Sequence, residues 1–501
     1  MSQSKSYLRL RGIYLERKSS VPLHRQLYEQ LRGKILDGTL PSNTPLPATR
    51  KFSKELKVSR NTVLNAYKQL LAEGYLEANA GGYTRVTHTL PDHVLNIYPK
   101  SQNRKSLDQV PTTLRPLQLS DLGEKMSSLP YPYWDRSGGR PFSSSQPSVA
   151  TFPFKTWEKC LVSSWRKINP AELSYPPVLG YGPLRQTIAE YVQDSRGVRC
   201  SAEQVVITNG TQHALTTIFG LLLNPSDQVW VENPSYNGVK IALNQVGADI
   251  VPVPVDEHGL VVSEGIQKAP SGRMVCISPS HQYPLGVTMD LTRRLELLDW
   301  AKNNDAWIIE DDYDSEYRYA GYPLEAIQGL DQAGRVIYMG TFSKVLFPAL
   351  RLGYMILPPS LVEPYSATRI FTDRGTRLLE QATVNEFINE GHLGRHIRKM
   401  RTLYEERQNI LVNRARIYLK NLIEIEPSEV GLHLVGWLPP GVDDRAVSDQ
   451  LLDDGIYAPP LSYFSLEPLE QGGLVIGYAA VDEHEIVSAV RQMGSSLQKI
   501  L

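Results

Sequence analysis

The chain has 501 residues, 41% of them hydrophobic and 21% charged, which is the composition of a soluble globular protein with two or three domains. It contains no apolar run near the ~20 residues that span a bilayer, and no apolar stretch follows its basic N-terminus as in a secretory signal. Three widely spaced cysteines exclude a disulfide framework and a zinc cluster. We therefore expect a cytoplasmic protein without a structural metal.

The balance of charge differs between the two ends of the chain. Residues 1–90 contain 15 Lys and Arg against 6 Asp and Glu, although the whole chain is neutral. A basic head on a more acidic body indicates that the head meets a polyanion such as nucleic acid. The alternative is a head whose surface is merely basic.

Three regions of the chain differ in composition and in hydrophobic pattern. Residues 1–90 are rich in helical patterns, and residues 91–140 are polar and proline-bearing, which is typical of a linker. From residue 141 to residue 501, short β-rich runs such as VVIT, QVWVE and AWIIEDD alternate with amphipathic helices. This alternation predicts parallel βαβ units, and hence an α/β body.

The head begins with two predicted helices. The first starts after Pro22, where Leu23, Leu27, Leu31 and Ile35 form one apolar stripe, and it ends at Asp37-Gly38. The second fits PATRKFSKEL, with Pro47 in its first turn.

A third predicted helix has the pattern of a DNA-recognition helix. Ser59 can cap a helix that starts at Arg60, with Val63, Ala66, Tyr67 and Leu70 on its inner face. The outward residues are Arg60, Thr62, Asn65 and Lys68, which suit entry into the major groove.

A predicted hairpin follows this helix. Gly74 ends the helix, and YLEANAGGYTRV turns at Gly81-Gly82 with Arg85 on the returning strand. A hairpin in this position is the wing of a winged helix-turn-helix.

The segments PLHRQLYEQLRGKILDGTL, LPATR and VSRNTVLNAYKQLLAEGYL, taken in this order, resemble the DNA-binding domain of the GntR superfamily. The resemblance implies that Arg50, Arg60 and Thr62 contact DNA. We add Ser59 at the helix start and Arg85 on the wing as candidate contacts.

The central motif of the body is RVIYMGTFSKVLFPALRLGYMIL. A strand delivers Thr341 and Ser343 to a turn, and Lys344 follows among apolar neighbours. Desolvation lowers the pKa of a lysine and frees its amine for Schiff-base chemistry. Arg351 supplies a charge that could pair with a phosphate. For an isolated Ser-Lys pair the alternative is a surface lysine.

Acidic residues follow the apolar strand of AWIIEDDYDSEYRY, at the end of a strand where α/β sheets bind ligands. Asp311 and Tyr313 are two residues apart, so an extended strand places them on one side. A pyridoxal ring requires such a carboxylate at its nitrogen and a hydroxyl near its phenolate oxygen. The alternative is that this stretch is a solvated acidic turn, because it also contains four other acidic residues: Glu310, Asp312, Asp314 and Glu316.

Two further segments fit the same cofactor. In VVITNGTQHALTTIFGLLL a strand ends at Thr208 and a helix opens at Thr211, which creates an anion site at the helix start. In VENPSYNGVK, Tyr236 follows a strand and could stack on a flat ring. Each of these two signals is weak when it is taken alone.

These four segments, in the order in which they follow one another along the chain, resemble the fold-type I aminotransferases, and the similarity extends from about residue 152 to the C-terminus. The resemblance implies an α/β body with a small α+β subdomain, and a pyridoxal phosphate cofactor. It implies that Lys344 forms the Schiff base, Asp311 meets the ring nitrogen, Tyr313 the phenolate oxygen and Tyr236 the ring face. The residues that it implies for the phosphate are Gly210, Thr211, Ser343 and Arg351.

The combination of head, linker and body resembles the MocR/GabR group of regulators, of which EDDYDSEYRY, SPSHQYPLG and TFSKVLFPALRLGYM are typical. Two positions depart from the aminotransferases. Tyr283 replaces an asparagine that bonds the phenolate oxygen, for which Gln282 or His281 could compensate. Val475 stands where transaminases carry the arginine that holds a substrate carboxylate.

We therefore expect a homodimeric DNA-binding regulator in which an amine or amino-acid effector, or pyridoxal phosphate itself, acts at Lys344 and alters DNA binding. A residual half-transamination stays open. Three alternatives remain. They are an active aminotransferase, a GntR-type repressor with a cofactor-free effector module, and a body that serves only for dimerisation.

Overall fold

The computed structural model describes residues 10, 12–17, 19–78, 84–88, 119–127, 139–144, 146–321 and 324–501. The chain divides into two compact units, Met1–Gln118 and Leu119–Leu501, which are described separately below. In the described ranges, no helix has both the length and the apolar character needed to cross a membrane.

The first unit consists of helices followed by a hairpin. Its elements are α1 (Leu23–Leu36), α2 (Thr49–Glu55), α3 (Arg60–Ala72), β1 (Leu76–Ala78) and β2 (Thr84–Val86). The helices and the hairpin share one apolar core, so this small unit has a hydrophobic centre of its own.

Helix α1 starts directly after Pro22, as predicted, because proline can precede a helix without losing a needed N–H donor. Its apolar stripe is buried through Leu27, Leu31 and Ile35, while Leu23 at the first turn is only half-buried.

Helix α2 corrects the predicted position of Pro47. The helix starts at Thr49, and its N-cap Ala48 still has the extended ψ of 141°. The hydroxyl of Tyr67 donates to the carbonyl of Pro47 at 3.1 Å. This bond holds Pro47 in the chain that enters the helix, ahead of its first turn.

Helix α3 begins and ends as predicted. The Ser59 hydroxyl accepts from the backbone N–H of Thr62 at 3.1 Å, which satisfies one of the donors that a helix start leaves open. The predicted inner face is buried: Val63, Ala66, Tyr67 and Leu70. Gly74 follows the helix with φ +78°, a left-handed conformation that glycine adopts without strain.

Strands β1 and β2 pair antiparallel, with Leu76 opposite Val86 and Ala78 opposite Thr84. The pairing confirms the predicted hairpin. The turn expected at Gly81-Gly82 lies outside the described residues.

Most of the predicted linker 91–140 also lies outside the described residues. Its described part includes a short helix, α4 (Asp121–Ser127), which buries none of its side chains. A segment without buried apolar residues contributes little to a core.

The second unit is centred on an eight-stranded sheet of order β3-β10-β9-β8-β7-β4-β5-β6. The strands are β3 (Val205–Thr208), β4 (Gln228–Asn233), β5 (Asp249–Asp256), β6 (Gly259–Leu260), β7 (Met274–Ile277), β8 (Trp307–Asp312), β9 (Val336–Thr341) and β10 (Gly353–Ile356). Every residue of β3, β7, β9 and β10 is buried, which accounts for their nearly continuous apolar sequences.

The sheet is parallel from β5 through β4, β7 and β8 to β9, as the βαβ pattern predicts. Strand β10 is antiparallel to both β9 and β3. It joins β9 after a short connection that carries Lys344 and Arg351, too short for a parallel crossover. The predicted parallel βαβ units are thus present, and β10 adds an antiparallel strand that the sequence pattern did not indicate.

Helices cover the sheet and also accompany a second, three-stranded antiparallel sheet, β11 (Glu424–Ile425), β12 (His433–Trp437) and β13 (Gly473–Gly477). This smaller sheet, together with its helices, forms the small α+β subdomain that the resemblance to aminotransferases implies. The helices are α5 (Phe154–Lys167), α6 (Gly182–Arg196), α7 (Thr211–Leu222), α8 (Asn237–Val246), α9 (Val262–Lys268), α10 (Leu291–Asn303), α11 (Ile327–Leu330), α12 (Phe342–Val345), α13 (Pro359–Thr372), α14 (Leu378–Asn389), α15 (His392–Tyr418), α16 (Asp444–Asp453) and α17 (Glu483–Ile500).

Candidate functional site

The start of helix α3 in the first unit presents polar side chains. Arg60 and Ser59 are exposed, and Arg50 on α2 is exposed as well. Thr62 is half-buried, with its hydroxyl 2.9 Å from that of Ser59. Ser59 and Thr62 therefore share the capping of the helix, and the arginines offer the charge and the guanidinium donors that read guanine or phosphate.

Arg85 on the wing has a partner within the first unit. Its guanidinium forms an ion pair with Glu77, which lies directly opposite on β1. Cross-strand pairs of opposite charge stabilise a hairpin. This pairing reduces the net charge that the described part of the wing offers to a phosphate.

In the second unit, Lys344 lies at the end of β9 in the short helix α12. Its side chain is half-buried, and desolvation lowers its pKa to about 8, against the opposing field of Asp314 and Asp311. A lysine with this pKa carries a substantial fraction of neutral amine near pH 7, which is the form that attacks a carbonyl group.

Asp311 lies near the carboxyl end of β8, the strand adjacent to β9. Burial, together with the charge of Asp312, raises the pKa of Asp311 to about 7, and its Oδ1 is buried without a hydrogen-bond partner in the described structure. A buried carboxylate oxygen needs a donor. The protonated nitrogen of a pyridoxal ring is a donor of this kind, so the residue fits the predicted cofactor.

Tyr313 is held by a buried polar network. Its hydroxyl lies 2.9 Å from Nδ1 of His281, and the same nitrogen lies 2.9 Å and 3.0 Å from the carboxylate oxygens of Asp314. Asp314 is fully buried. These contacts fix the position of the Tyr313 hydroxyl close to Asp311 and Lys344, both of which lie in the field of Asp314.

The guanidinium group of Arg351 lies close to the start of helix α7. Gly210 caps the helix with φ +89° and has no side chain, and a Cβ at this position would lie 3.6 Å from Nη2 of Arg351. Arg351 itself has φ +49°, an uncommon conformation for a residue with a side chain. Open N–H groups from Thr211 onward together with a guanidinium form a cradle for a phosphate.

Ser343 is the remaining predicted phosphate residue. Ser343 directly precedes Lys344. Its backbone N–H donates to the hydroxyl of Thr341 at 3.1 Å, and Thr341 is thereby the N-cap of α12. The side chain is half-buried on the turn between Lys344 and β9. Its position is thus determined by the same cap that positions the lysine.

Tyr236 precedes helix α8 and is 39% exposed. Burial raises the pKa of its phenol, and the charges of Asp311 and Arg351 act on it in opposite directions. An open aromatic face in this position can receive a flat ring.

Several residues that support the site were not identified from the sequence. The Asp312 carboxylate is bound by Arg196 through Nε at 2.7 Å and Nη2 at 2.9 Å, and by the Tyr338 hydroxyl at 2.6 Å. Glu310 accepts N–H bonds from Ile327 and Gln328. The alternative of a solvated acidic turn is therefore wrong, because these carboxylates are buried and bonded.

The structure corrects the prediction that Gln282 offers a donor to the cofactor. Its Nε2 already lies 2.8 Å from the carbonyl of Pro234, 2.9 Å from that of Tyr283 and 3.4 Å from Glu232. An amide nitrogen has only two hydrogens. Gln282 therefore stabilises the loop that carries it, and His281 is the residue of this motif that reaches Tyr313.

Family comparisons agree with the two-unit structure. Residues 23–86 match "Bacterial regulatory proteins, gntR family", and residues 142–493 match "Aminotransferase class I and II". Over 486 residues the chain is 39% identical to the probable rhizopine catabolism regulatory protein MocR of Rhizobium meliloti, covering 97% of this chain and 95% of the relative. The chain belongs to the MocR group of transcriptional regulators.

Other relatives and solved structures support this assignment. The pyridoxine biosynthesis regulator PdxR of Corynebacterium glutamicum is 30% identical, over 93% of each chain. The kynurenine aminotransferase of Pyrococcus horikoshii superposes with a TM-score of 0.67 at 27% identity, covering 77% of this chain and 96% of that one. The α-aminoadipate aminotransferase LysN of Thermus thermophilus gives 0.69 at 25%, covering 75% and 97%.

As a MocR-type regulator, the chain joins a GntR-type DNA-binding head to an aminotransferase-type body whose cofactor is pyridoxal phosphate. The two departures noted in the sequence are visible in this body. Tyr283 and Val475 are both buried, and they share one apolar cluster with Tyr313. The phenol ring of Tyr283 and the isopropyl group of Val475 thus pack in the same cluster as Tyr313.

Proposed function

We propose that Lys344 binds pyridoxal phosphate covalently and that an effector acting at this amine changes the affinity of the heads for DNA. The effector is a primary amine, an amino acid or pyridoxal phosphate itself. The observation that carries the proposal is the desolvated Lys344 beside an Asp311 oxygen that lacks a partner.

Bound pyridoxal phosphate supplies an aldehyde that condenses with primary amines and a ring that withdraws electrons. The residues of this chain would bind and orient the cofactor. Asp311 would accept a hydrogen bond at Oδ1 from the ring nitrogen, and Tyr313 would donate toward the phenolate oxygen. Gly210, Thr211, Ser343 and Arg351 would hold the phosphate, while Tyr236 would cover the ring face.

Lys344 provides the link to regulation. An effector that displaces Lys344 would leave its Nζ in the fields of Asp314 and Asp311, which favour the protonated amine. A change in charge at a buried site alters the energy of that conformation. The effector shifts DNA affinity only if it binds two conformations of the body unequally.

We also propose that the protein is a cytoplasmic homodimer. Two heads would then bind two half-sites of an operator. The predicted DNA contacts Arg50, Ser59, Arg60, Thr62 and Arg85 belong to this proposal, with Arg60 as the principal base contact. The domain limits 1–90, 91–140 and 141–501 also belong to it.

Mass spectrometry tests the cofactor site. Full-length protein saturated with pyridoxal phosphate is reduced with borohydride and digested, and we expect the added mass on the Lys344 peptide. The matched control is Lys240→Met, because Lys240 is also buried with its pKa lowered to about 8, yet its Nζ donates to the carbonyl of Phe464 at 2.8 Å. That variant should keep the modification, and Lys344→Ala should lose it. An unmodified Lys344 in saturated protein contradicts the proposal.

A further inference from the structure

A cluster of buried apolar and aromatic side chains includes one residue of the candidate site, Tyr313, and contacts another, Tyr236. We call this cluster the apolar wall; its members are Tyr283, Tyr313, Val435, Leu461, Phe464 and Val475. Val475 on β13 pairs with Val435 on β12, and Val475 is completely buried. The small sheet therefore presents isopropyl groups to the wall at this register position.

The wall reaches the cofactor residues through Tyr283. The Tyr283 ring centroid lies 5.9 Å from that of Tyr313, 5.3 Å from Phe464 and 6.3 Å from Tyr236. Tyr313 and Tyr236 each lie in the field of Asp311. The wall is thus continuous with the residues that surround the predicted ring.

Strand β12 also connects the wall to Lys344. His433, two residues before Val435, has its pKa lowered to about 3 by burial, by the neighbouring His281 and, more weakly, by Lys344. Its ring centroid is 5.1 Å from that of Tyr283. A histidine that stays neutral in this way adds no cation to the wall.

The buried arginines of the described body have other partners. Arg196 binds Asp312, Arg369 binds Asp373, and Arg407 binds Glu483. Arg294 donates to the carbonyl oxygens of Met289, Glu325 and Pro279. Each of these four guanidinium groups is thus already engaged with a carboxylate or with carbonyl oxygens.

A carboxylate placed against this wall would lose its hydration without gaining a partner among these four buried guanidinium groups, which is unfavourable. An uncharged carbon skeleton would instead bury apolar surface there. We infer that the effector is a primary amine that carries no carboxylate on the amine-bearing carbon. The inference rests on the proposed function, since it concerns the same site, and among the effectors proposed there it excludes α-amino acids and pyridoxal phosphate itself.

Matched pairs of probes test the inference on the full-length protein loaded with pyridoxal phosphate. The pairs are 2-phenylethylamine with L-phenylalanine, and 3-methylbutylamine with L-leucine, which differ only by the carboxylate. Apparent Kd values come from titrations of the visible spectrum. We expect the amine to bind at least about 10-fold more tightly in each pair, which corresponds to about 1.4 kcal/mol.

Equal or tighter binding of the amino acids overturns the inference, and so does a spectrum that neither member of a pair changes. A cation supplied by a partner subunit would produce the first of these results. Failure of the proposed function is a different result, namely absence of the cofactor from Lys344 after borohydride reduction.

A substitution in the wall gives a second, independent measurement. Val475→Arg should reduce the preference for the amine by at least about 10-fold, because it supplies the missing cation. Val475→Met, which adds length without charge, should keep the preference. An unchanged ratio in a folded, cofactor-loaded Val475→Arg variant contradicts the inference, and if that variant does not fold, the wild-type ratio decides alone.

Discussion

Lys344 and Asp311 are the residues on which the proposed chemistry depends, and burial changes the acid–base behaviour of both. The pKa of the lysine falls to about 8 and that of the carboxyl rises to about 7, in each case first because of desolvation. Each shift brings the pKa of the side chain closer to neutral pH. Perturbed pairs of this kind are typical of functional sites.

The rate at which Lys344 takes up the cofactor should depend on pH. Neutral amine is the reactive form, so with a pKa of about 8 the rate should rise about 10-fold per pH unit below pH 8 and level off above it. Stopped-flow absorbance of cofactor-free protein mixed with pyridoxal phosphate measures this rate. A rate that keeps rising to about pH 10 would indicate a solvated lysine.

Asp311→Asn should stabilise the cofactor-free protein at pH 8. The folded-state pKa of Asp311 is raised, so its contribution to stability is present below the unfolded value of 3.8 and is lost as the pH rises toward 7. The neutral amide avoids this loss. We expect the melting temperature of the variant to exceed that of the wild type by about 2–4 °C at pH 8, and by less at pH 5.

The comparison of wild type and variant separates Asp311 from Glu310, whose pKa is raised to about 7 and which titrates in both proteins. The charge of Asp311 also contributes to the raised pKa of Glu232, so the measured difference includes that coupling. Differential scanning calorimetry at the two pH values provides the measurement. A stability difference that does not change with pH would assign the effect to packing instead of charge.

At the scale of elements, short connections bring the functional groups together. One connection carries Lys344 and Arg351 between β9 and the antiparallel β10, and another leads from β3 through Gly210 into α7. In the first unit, Ser59 sets the start of α3 and thereby the position of Arg60. In each case the end of a helix or strand orients the side chains.

Arg60→Ala should weaken binding to a DNA fragment selected by the full-length protein. Loss of a guanidinium contact to a base costs about 1–3 kcal/mol, so the Kd should rise at least about 5-fold. Fluorescence anisotropy measures the affinity. The control Arg25→Ala removes an equal charge from α1, where Arg25 is paired with Glu29, and should change the affinity much less. Equal effects of the two variants would place the base contact elsewhere.

At the scale of the whole molecule, a basic DNA-binding head is joined to an aminotransferase-type body in one chain. Function then requires that events at Lys344 and at α3 influence one another energetically. Such a coupling is reciprocal by thermodynamic necessity. Its size can therefore be measured from either end of the molecule.

An amine that changes the DNA affinity of the loaded protein by some factor should have its own affinity changed by the same factor when DNA is bound. We expect a factor of about 5 to 150, the usual range for coupled sites. Anisotropy with labelled DNA and spectral titration with the amine give the two values. Lys344→Ala should bind the same DNA without any response to the amine, and a response in that variant would contradict coupling through the lysine.

Much of this protein could be predicted because the decisive signals are local. Helix α1 follows from its stripe of Leu27, Leu31 and Ile35, and the start of α3 follows from Ser59. Two short motifs, one around Lys344 and one around Asp311, predict a reactive lysine and the carboxylate that serves it. Periodicity, caps and short motifs depend on neighbouring residues, so they are readable in a single chain.

Other features depend on residues far apart in the chain, and only the tertiary structure decided them. The antiparallel direction of β10, the burial of Asp312 by Arg196, and the contact of His281 with Asp314 and Tyr313 belong to this class. The inference about Val475 likewise depends on its burial in one cluster with Tyr283 and Phe464, which the sequence alone does not show. Burial and long-range pairing determine desolvation and charge, and those two quantities decide what a polar side chain can do.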